Sequence, residues 1–285
     1  MNPGARVRGF NVADLLSYAG KRVIVSGCFS GMGEATARTL VEIGAEVHGV
    51  DYKQTALKLA SFTNIDLRDP ASIEAAVGKI GGHVDALFNC AGLPQTFPPL
   101  DVMKVNFIGT RHVTETVLKL MKPGSAIASI SSTAGLGWSR RVPLIMELLA
   151  TQGYDAAFKW CEAHPGDVAE GYSFSKEVII VWTMMISSKL IKQGIRINCT
   201  LPGPTETPMM KDFEAATDIS IIDAATQPIN RRSKPIEQAY PLIYLNSDIS
   251  SYVNGVVLPV DGGFMGGVTT GQVDLGAMMG ASAKG

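Results

Sequence analysis

The chain has 285 residues, of which 46% are hydrophobic and 18% charged, a composition typical of a globular protein with one large core. Its formal net charge of −1 comes from interspersed acidic and basic residues, without the clustered Lys and Arg of a nucleic-acid surface. We therefore expect a small-molecule partner and no nucleic acid.

The cysteines, the histidines and the apolar runs each exclude a further class of protein. The cysteines (Cys28, Cys90, Cys161, Cys199) lie far apart and the histidines are scattered, so neither a disulfide framework nor a metal site is expected. Residues 1–10 lack the apolar core of a signal peptide, and the apolar run 178–186 is too short to span a bilayer. We expect a cytoplasmic protein that is not associated with a membrane.

Short apolar runs alternate with helix-like segments along the chain. The runs that we interpret as strands are residues 23–25, 46–50, 86–88, 126–130, 195–199 and 256–260. Because strand and helix take turns, crossover connections should order the strands in a parallel sheet with helices on both faces. The sequence predicts a doubly wound α/β fold, with residues 1–285 forming a single domain.

Two longer segments interrupt this alternation. The first, about 135–170, is an insertion with helix-like stretches at 143–150 and 154–163, and the second, about 203–235, reads as irregular. Ligands of open α/β sheets bind beyond the carboxyl ends of the strands, so both segments are placed to cover one. The tail from Gly262 is expected either to be mobile or to cross to another subunit.

A glycine-rich run, Ser26-Gly27-Cys28-Phe29-Ser30-Gly31-Met32-Gly33, follows the first predicted strand and opens a helix. Backbone N–H groups and the helix dipole at such a place can hold a pyrophosphate. The spacing Gly-x-x-x-Gly-x-Gly is by itself equally compatible with a plain strand-to-helix turn.

Asp51 ends the second predicted strand, about twenty residues after the loop. A carboxylate there accepts hydrogen bonds from the adenosine ribose hydroxyls and repels a 2′-phosphate, which favours NAD over NADP. The alternative is a solvated loop aspartate, and Lys53 is the nearby residue that weakens the preference for NAD.

Tyr172 and Lys176 lie four residues apart, which places them on one face of a helix. A cation held beside a phenol favours the phenolate and lowers the pKa of the phenol from about 10. Tyr172 is therefore a candidate acid/base. Such a pair is common by chance, and it gains weight from the glycine-rich run in the same domain.

In this order, the motifs resemble those of the short-chain dehydrogenase/reductase family, from about Gly20 to Gly263. The other matching runs are Asp66-Leu67, Asn89-Cys90-Ala91-Gly92, Asn106, Ile130-Ser131-Ser132 and Pro202-Gly203. Within the family, the chain looks similar to two branches, the 3α-hydroxysteroid dehydrogenases/carbonyl reductases and the coniferyl-alcohol dehydrogenases. The resemblance implies a Rossmann-like fold and the cofactor NAD.

The resemblance also implies catalytic roles at four positions. Tyr172 would exchange a proton with the substrate oxygen, and Lys176 would hold the nicotinamide ribose and lower the pKa of Tyr172. Ser132 would hydrogen-bond the substrate oxygen, with Ser131 as the alternative if the register is shifted by one residue. Asn106 would bind a water that links Lys176 to solvent.

In the implied cofactor site, Asp66 and Leu67 contact adenine. The residues after the third predicted strand line the floor of the site under the adenosine. The loop that begins at Pro202-Gly203 contacts the nicotinamide end and the pyrophosphate. The cofactor-binding residues so implied are Gly27, Ser30, Gly31, Met32, Gly33, Asp51, Asp66, Leu67, Asn89, Ala91, Gly92, Tyr172, Lys176, Pro202, Thr205 and Thr207. The two threonines are also natural helix caps. Cys90 departs from the family pattern, which has a second Asn there, and Ser132 lies unusually far from Tyr172 because of the insertion.

The function expected from these residues is NAD-dependent hydride transfer between nicotinamide and a hydrophobic alcohol or carbonyl, either a coniferyl-type aryl alcohol or a 3α-hydroxysteroid. The insertion is rich in apolar residues, which form either a cover over such a substrate or a core of their own. Met209, Met210 and Phe213 either close over substrate or pack in the core.

The alternative function is a non-catalytic nucleotide-binding scaffold. The family resemblance implies a homodimer or homotetramer, and an insertion beside the Tyr172 helix favours the dimer.

Overall fold

Seven parallel strands form one sheet in the computed structural model, which describes residues 12–274. The strands are β1 Arg22–Ser26, β2 Glu46–Asp51, β3 Ser61–Asn64, β4 Val84–Asn89, β5 Met121–Ile130, β6 Arg196–Pro202 and β7 Val257–Val260. Their order across the sheet is β3-β2-β1-β4-β5-β6-β7. The order in which the strands are added to the sheet reverses between β1 and β4, and this switch point is where ligands of such sheets bind.

Thirteen α-helices in the described residues connect and cover the strands. They are α1 Val12–Leu15, α2 Gly31–Glu42, α3 Pro70–Ile80, α4 Pro99–Met103, α5 Thr110–Leu118, α6 Val142–Ala150, α7 Gly153–Ala163, α8 Pro165–Val168, α9 Gly171–Leu190, α10 Met210–Ala216, α11 Ile219–Ala224, α12 Pro235–Asn246 and α13 Phe264–Thr269. A π-helical segment, Lys104–Gly109, joins α4 to α5, and 3₁₀ turns occupy Thr133–Arg140, Ile191–Gln193 and Asp248–Ser250.

The predicted doubly wound fold and all six predicted strands are confirmed. Strands buried on both faces read as continuous apolar runs, as in Val23–Val25, which is fully buried. β3 was missed because its sequence, Ser-Phe-Thr-Asn, is short and has three polar residues out of four. It can be so because it lies at the edge of the sheet and pairs with β2 alone.

Two apolar cores lie on the two faces of the sheet. One joins α3, α5 and α9 through side chains such as Ile73, Val113 and Val178. The other joins α2 and α12 through Leu40 and Leu242. Among the described residues, no helix is long and apolar enough to cross a membrane.

The insertion consists of the 3₁₀ turn Thr133–Arg140 and helices α6 to α8, and it extends the first core over α9. Ile145, Leu148 and Cys161 belong to the same apolar cluster as α9. Ten consecutive residues of α9, Phe174 to Thr183, are buried. Helix α9 is therefore enclosed by protein on all sides over that stretch.

The segment predicted as irregular, about 203–235, contains the helices α10 and α11, so that prediction was wrong in this respect. Its base is closed where Glu206 N donates to Ser233 O over 2.9 Å. Of the predicted mobile or crossing tail, α13 and the turn after it are described, whereas residues 275–285 lie outside the described residues.

Candidate active site

The glycine-rich loop lies between β1 and α2, and its glycines leave room for close approach. Gly27 has φ +75°, and a Cβ there would lie 2.5 Å from Ala91 N. A Cβ on Gly33 would lie 2.1 Å from Gly27 O. Only glycine fits at either position. Ser30 is the N-cap of α2 without a side-chain capping bond, so the first N–H groups of the helix remain for an anion.

Asp51, at the end of β2, faces this loop. Its Oδ2 accepts from Phe29 N over 3.0 Å, and its Oδ1 accepts from Lys53 N over 2.9 Å. The Lys53 ammonium lies 5.5 Å from the centre of the Phe29 ring. The carboxylate is thus held at the mouth of the loop, with one cation near it.

The residues predicted to line the adenosine side divide into two groups. Ala91 follows β4 directly beside Gly27, and Gly92 lies next along the chain, near Asn106 and Lys176. The Asn89 side chain instead turns into the protein, where Nδ2 donates to Thr114 Oγ1 over 3.0 Å and to Ser129 Oγ over 3.1 Å. Asn89 therefore ties β4 to α5 and β5, and only its backbone is available to a cofactor.

Asp66 and Leu67 follow β3 and are engaged with protein partners. The Arg68 guanidinium donates to both oxygens of Asp66, over 2.9 and 2.8 Å, and this pairing lowers the pKa of the carboxyl group. Leu67 is buried, and its carbonyl accepts from Tyr154 Oη over 3.1 Å. A contact between Asp66 and adenine would have to form beside the Arg68 pair.

The predicted catalytic side chains converge at the start of α9. The Ser132 hydroxyl interacts with Tyr172 and lowers the pKa of the phenol, while its Oγ accepts from Ala134 N over 3.1 Å. The Lys176 ammonium lies 5.5 Å from the centre of the Tyr172 ring and donates to Ile130 O over 3.1 Å. Ser131, the alternative to Ser132, is buried and donates to Lys176 O over 2.8 Å, so its hydroxyl faces away from Tyr172.

Burial displaces the pKa values of both groups towards their neutral forms. It raises the pKa of Tyr172 to about 12, and the opposing hydrogen bond from Ser132 is the smaller effect. It lowers the pKa of Lys176 to about 8. The sequence predicted that Lys176 lowers the pKa of Tyr172; in the structure, burial dominates the pKa of the phenol, and the opposing effect comes from Ser132.

Asn106 lies in the π-helical segment, a kind of irregularity frequent at functional sites. Its Oδ1 accepts from Leu93 N over 2.7 Å, and its Nδ2 donates to Leu93 O over 3.1 Å and Ser175 Oγ over 3.2 Å. Both amide hydrogens are therefore used. The predicted water can contact Asn106 only through its carbonyl oxygens.

The two threonines of the second loop occupy different environments. Thr205 is buried, and its hydroxyl bonds Gly203 O over 2.9 Å and Ser233 Oγ over 2.8 Å, so it is occupied within the loop that follows Pro202. Thr207 lies against the glycine-rich loop, with its Cγ2 3.2 Å from where a Cβ on Gly31 would be. Of the two, Thr207 is the one placed to meet a pyrophosphate.

Helix α10 covers Tyr172. The Phe213 ring packs edge-on against the Tyr172 ring, with 4.9 Å between ring centres. Two side-chain hydrogen bonds join α10 and the adjoining Thr217, here called the covering segment, to the loop after β4. Gln95 Nε2 donates to Thr217 Oγ1 over 2.6 Å, and Thr96 Oγ1 donates to Asp212 Oδ1 over 3.4 Å. Of the three residues expected to close over substrate or pack in the core, Phe213 thus contacts Tyr172, while Met210 is buried.

A cavity of about 500 Å³ lies beside Tyr172, between the loop after β4, the start of α9 and the covering segment. It is lined by Gln95, Phe97, Pro99, Val102, Ala169, Glu170, Gly171, Tyr172, Ser173, Ala216 and Thr217. The insertion contributes Ala169 and Glu170, so part of it does border the predicted substrate site. Its other apolar residues, among them Leu148, belong to the core.

Sequence reasoning missed an ion pair next to the site. Arg141 Nη1 lies 3.4 Å from Glu177 Oε2 and joins the insertion to α9 beside Lys176. The available signal was Glu177 itself, an acidic residue within the apolar stretch of α9. The partners Gln95 and Thr217 gave no signal, because 122 positions separate them.

The site's glycines and donors fit a dinucleotide. The loop that admits no Cβ at Gly27 and Gly33, the open N–H groups of α2 and the Asp51 carboxylate form a continuous cradle that leads towards Lys176. A Cβ on Gly92 would lie 3.9 Å from Lys176 Nζ, so the floor of the cradle reaches the predicted catalytic side chains. Among residues 12–274, no group of three or more His, Cys, Asp and Glu side chains could hold a metal ion.

Comparison with known proteins supports the assignment of the chain to a family. A family model described as short chain dehydrogenase matches residues 21–143, and one described as enoyl-(acyl carrier protein) reductase matches residues 162–265. The chain is 33% identical to a coniferyl-alcohol dehydrogenase of a Pseudomonas species, over 87% of this chain and 98% of that protein. It is 29% identical to the 3-alpha-hydroxysteroid dehydrogenase/carbonyl reductase of Comamonas testosteroni, over 85% of this chain and 95% of that protein.

Two solved structures are similar in fold over most of their length. The crystal structure of a 3-alpha-hydroxysteroid dehydrogenase from a Pseudomonas species, complexed with NADH, has a TM-score of 0.74 at 25% identity and covers 89% of this chain and 100% of that one. Levodione reductase has a TM-score of 0.66 at 25% identity, over 86% of this chain and 98% of that one.

Proposed function

Since the chain belongs to the short-chain dehydrogenase/reductase family, we propose that this oxidoreductase uses NAD to interconvert a hydrophobic alcohol and its carbonyl compound, with Tyr172 as the acid/base. The observation that carries this proposal is the convergence of Ser132, Tyr172 and Lys176 at the end of a dinucleotide cradle. The nicotinamide, when bound, supplies the site that accepts or releases the hydride.

Tyr172 transfers the proton of the reaction. In alcohol oxidation its phenolate removes the hydroxyl proton, and in carbonyl reduction its phenol donates one. The Ser132 hydroxyl, which interacts with Tyr172, orients the substrate oxygen and stabilises the charge that develops on it. Phe213 excludes water from this place by covering the phenol ring.

Lys176 and Asn106 assist the proton transfer without contacting the substrate oxygen. The Lys176 ammonium is buried and held by Ile130 O, from where it can bind a ribose hydroxyl. Asn106 fixes the Leu93 backbone on one side and Ser175 on the other, which sets the position of α9 against the floor of the cradle. A water on an Asn106 carbonyl would connect Lys176 with solvent.

Asp51 supports NAD as the cofactor. Its carboxylate lies at the mouth of the glycine-rich loop, where it accepts ribose hydroxyls and repels a 2′-phosphate. Lys53 is paired with the face of Phe29, which reduces its availability to a phosphate.

The substrate that fits best is a coniferyl-type aryl alcohol or a 3α-hydroxysteroid. The cavity beside Tyr172 has the volume of a small-molecule site, and Phe97, Pro99, Val102 and Ala216 supply apolar walls. The names of the two similar dehydrogenases point to the same two compounds. Four free thiols favour a reducing compartment, so we also propose a cytoplasmic location.

The direct test is NADH formation by the purified protein with coniferyl alcohol and with a 3α-hydroxysteroid, each assayed with NAD and with NADP. The proposal predicts turnover of at least one substrate and a preference for NAD. A preference for NADP would refute the role of Asp51. Absence of turnover with both alcohols and with a wider panel, despite NADH binding, would refute the catalytic proposal.

A further inference from the structure

The first turn of α9 carries both Tyr172 and Lys176 and is not capped by a side chain. Tyr172 is the second residue of the helix, and the N-cap residue Glu170 makes no side-chain capping hydrogen bond. The N–H groups of a first turn lack intrahelical partners, and helix ends fray. Contacts from other elements therefore decide how firmly this turn is held.

The Lys176 end of the turn is joined to the sheet. Ser131, which directly follows β5, is buried and donates from Oγ to Lys176 O over 2.8 Å. Its own backbone N donates to Thr200 O of β6 over 2.9 Å. The backbone of Lys176 is thus tied to the sheet where β5 and β6 run side by side.

The Tyr172 end of the turn is held through Ser175. The Ser175 hydroxyl donates to Tyr172 O over 2.7 Å and accepts from Asn106 Nδ2 over 3.2 Å. Asn106 is in turn fixed by two hydrogen bonds to the backbone of Leu93, over 2.7 and 3.1 Å. The Ser175 side chain therefore joins the loop after β4, by way of Asn106, to the backbone of Tyr172.

The hydroxyl of Ser175 has a defined direction. A serine hydroxyl has one proton to donate, and because the amide of Asn106 donates to the oxygen, that proton points to Tyr172 O. Ser175 and Asn106 are 0% and 1% exposed, so solvent does not compete for these hydrogen bonds. A buried hydroxyl that both donates and accepts holds the two elements in one relative orientation.

A second contact at the same place is less directional. A Cβ on Gly171 would lie 2.8 Å from Pro99 Cα, so the start of α9 packs closely on α4. Such packing limits how near the two backbones can come, whereas a hydrogen bond also depends on angle. Packing on Pro99 therefore sets the distance of the turn from α4, and the hydrogen bond from Ser175 sets its orientation.

We propose that Ser175 is a positioning residue for the reaction. Through its two hydrogen bonds it transmits the position of Asn106 to the backbone of Tyr172 and thereby aligns the phenol with the substrate oxygen. The inference rests on the proposed function for the role of Tyr172 as the acid/base. Ser175 supplies neither proton nor charge to the reaction, and its effect on turnover arises from alignment, to which reaction rates are sensitive.

Ser175→Ala removes the hydroxyl and little else. We expect kcat to fall roughly tenfold, while the dissociation constant of NADH, measured by fluorescence, stays within about twofold of the wild-type value. In an Asn106→Ala background the same change should lower kcat by less than about twofold, because the connection is already broken. If Ser175→Ala does not fold, Ser175→Cys, whose thiol is a weak donor, is measured in its place and should also lower kcat.

The matched control is Ser187→Ala. Ser187 lies near the other end of α9, is also buried, and its hydroxyl donates to Met184 O over 2.8 Å, the same local hydrogen bond as that from Ser175 to Tyr172 O. The free energy of unfolding in urea should fall in both variants, whereas kcat should fall only in Ser175→Ala. This difference separates a positioning role from a contribution to stability.

A second measurement does not need turnover. Fluorine NMR is recorded on the unliganded protein with 3-fluorotyrosine at its seven tyrosines, and the Tyr172 resonance is identified by its loss in Tyr172→Phe. Because the Tyr172 ring lies edge-on to Phe213, with 4.9 Å between ring centres, its chemical shift depends on its position. We expect Ser175→Ala to shift or broaden this resonance and Ser187→Ala to leave it unchanged.

The outcomes distinguish the inference from the proposed function. An unmoved Tyr172 resonance in Ser175→Ala overturns the inference, and so does an unchanged kcat where the wild type turns over an alcohol. A displaced resonance in a protein that oxidises no alcohol contradicts the proposed function and retains the connection from Ser175 to Tyr172.

Discussion

Among single residues, Tyr172 has the environment that most constrains the chemistry. Burial raises the pKa of its phenol to about 12, so Tyr172 is protonated at neutral pH in the protein without ligand. We predict that the tyrosinate absorbance assigned to Tyr172, obtained by subtracting the Tyr172→Phe spectrum, does not develop between about pH 6 and pH 10 in the unliganded protein. A step near pH 7 in that difference titration would show that Lys176 already lowers the pKa without a ligand.

At the same scale of single residues, we propose that Asp51 determines the preference for NAD over NADP. Asp51→Asn removes the negative charge and keeps one of the two acceptor oxygens, so one of the hydrogen bonds from Phe29 N and Lys53 N is retained and the other is lost. We predict that the ratio of kcat/KM for NAD to that for NADP falls roughly tenfold or more, because repulsion of the 2′-phosphate is lost. Asp155→Asn, an exposed change on α7, serves as the control. An unchanged ratio would remove Asp51 from the specificity argument.

At the scale of elements, the Arg141–Glu177 ion pair joins the insertion to α9. Burial raises the pKa of Glu177, and Arg141 opposes that shift. Arg141 also stacks on Phe174, 4.4 Å from the ring centre, and donates to Asp167 O over 2.7 Å. The pair thus connects three elements within one small volume.

Removing the cation should leave a buried carboxylate without compensation. We predict that Arg141→Met lowers the free energy of unfolding by about 2 kcal/mol at pH 7, measured in urea, and that adding Glu177→Gln restores part of it. Because the folded-state pKa of Glu177 is raised, its protonated form is favoured in the fold, and the loss should shrink as pH falls towards 5. Arg140→Met, at an exposed neighbour whose charge opposes the pKa shift of Glu177 less than that of Arg141, should have a smaller effect. A loss independent of pH would mean that packing alone is responsible.

Elements also show how far the sequence could predict this site. The glycine-rich loop, Asp51 and the Tyr172–Lys176 spacing are local patterns, and the parallel sheet brings them to one edge. Side-chain directions were less predictable: Ser131 and Ser132 are adjacent and identical, and only the contact of Ser131 with Lys176 O distinguishes them. The inward turn of Asn89 likewise depends on partners from other elements.

For the whole molecule, the insertion determines which surfaces remain for a second copy. Because α6 to α8 help enclose α9 from Phe174 to Thr183, this helix cannot pair with its counterpart in another chain without displacing them. We propose a homodimer and predict a molar mass of two 30.3 kDa chains by light scattering at micromolar concentration. A mass of one chain or of four would contradict the dimer.

The account of the molecule as a whole depends on Tyr172 as the group that transfers the proton. The most direct measurement is turnover and NADH affinity of Tyr172→Phe beside the wild type, with whichever alcohol the wild type oxidises. The account predicts that NADH affinity stays near the wild-type value while kcat falls by a factor of about a thousand or more, because only the transferable proton is removed. Turnover within a few fold of the wild type would contradict it.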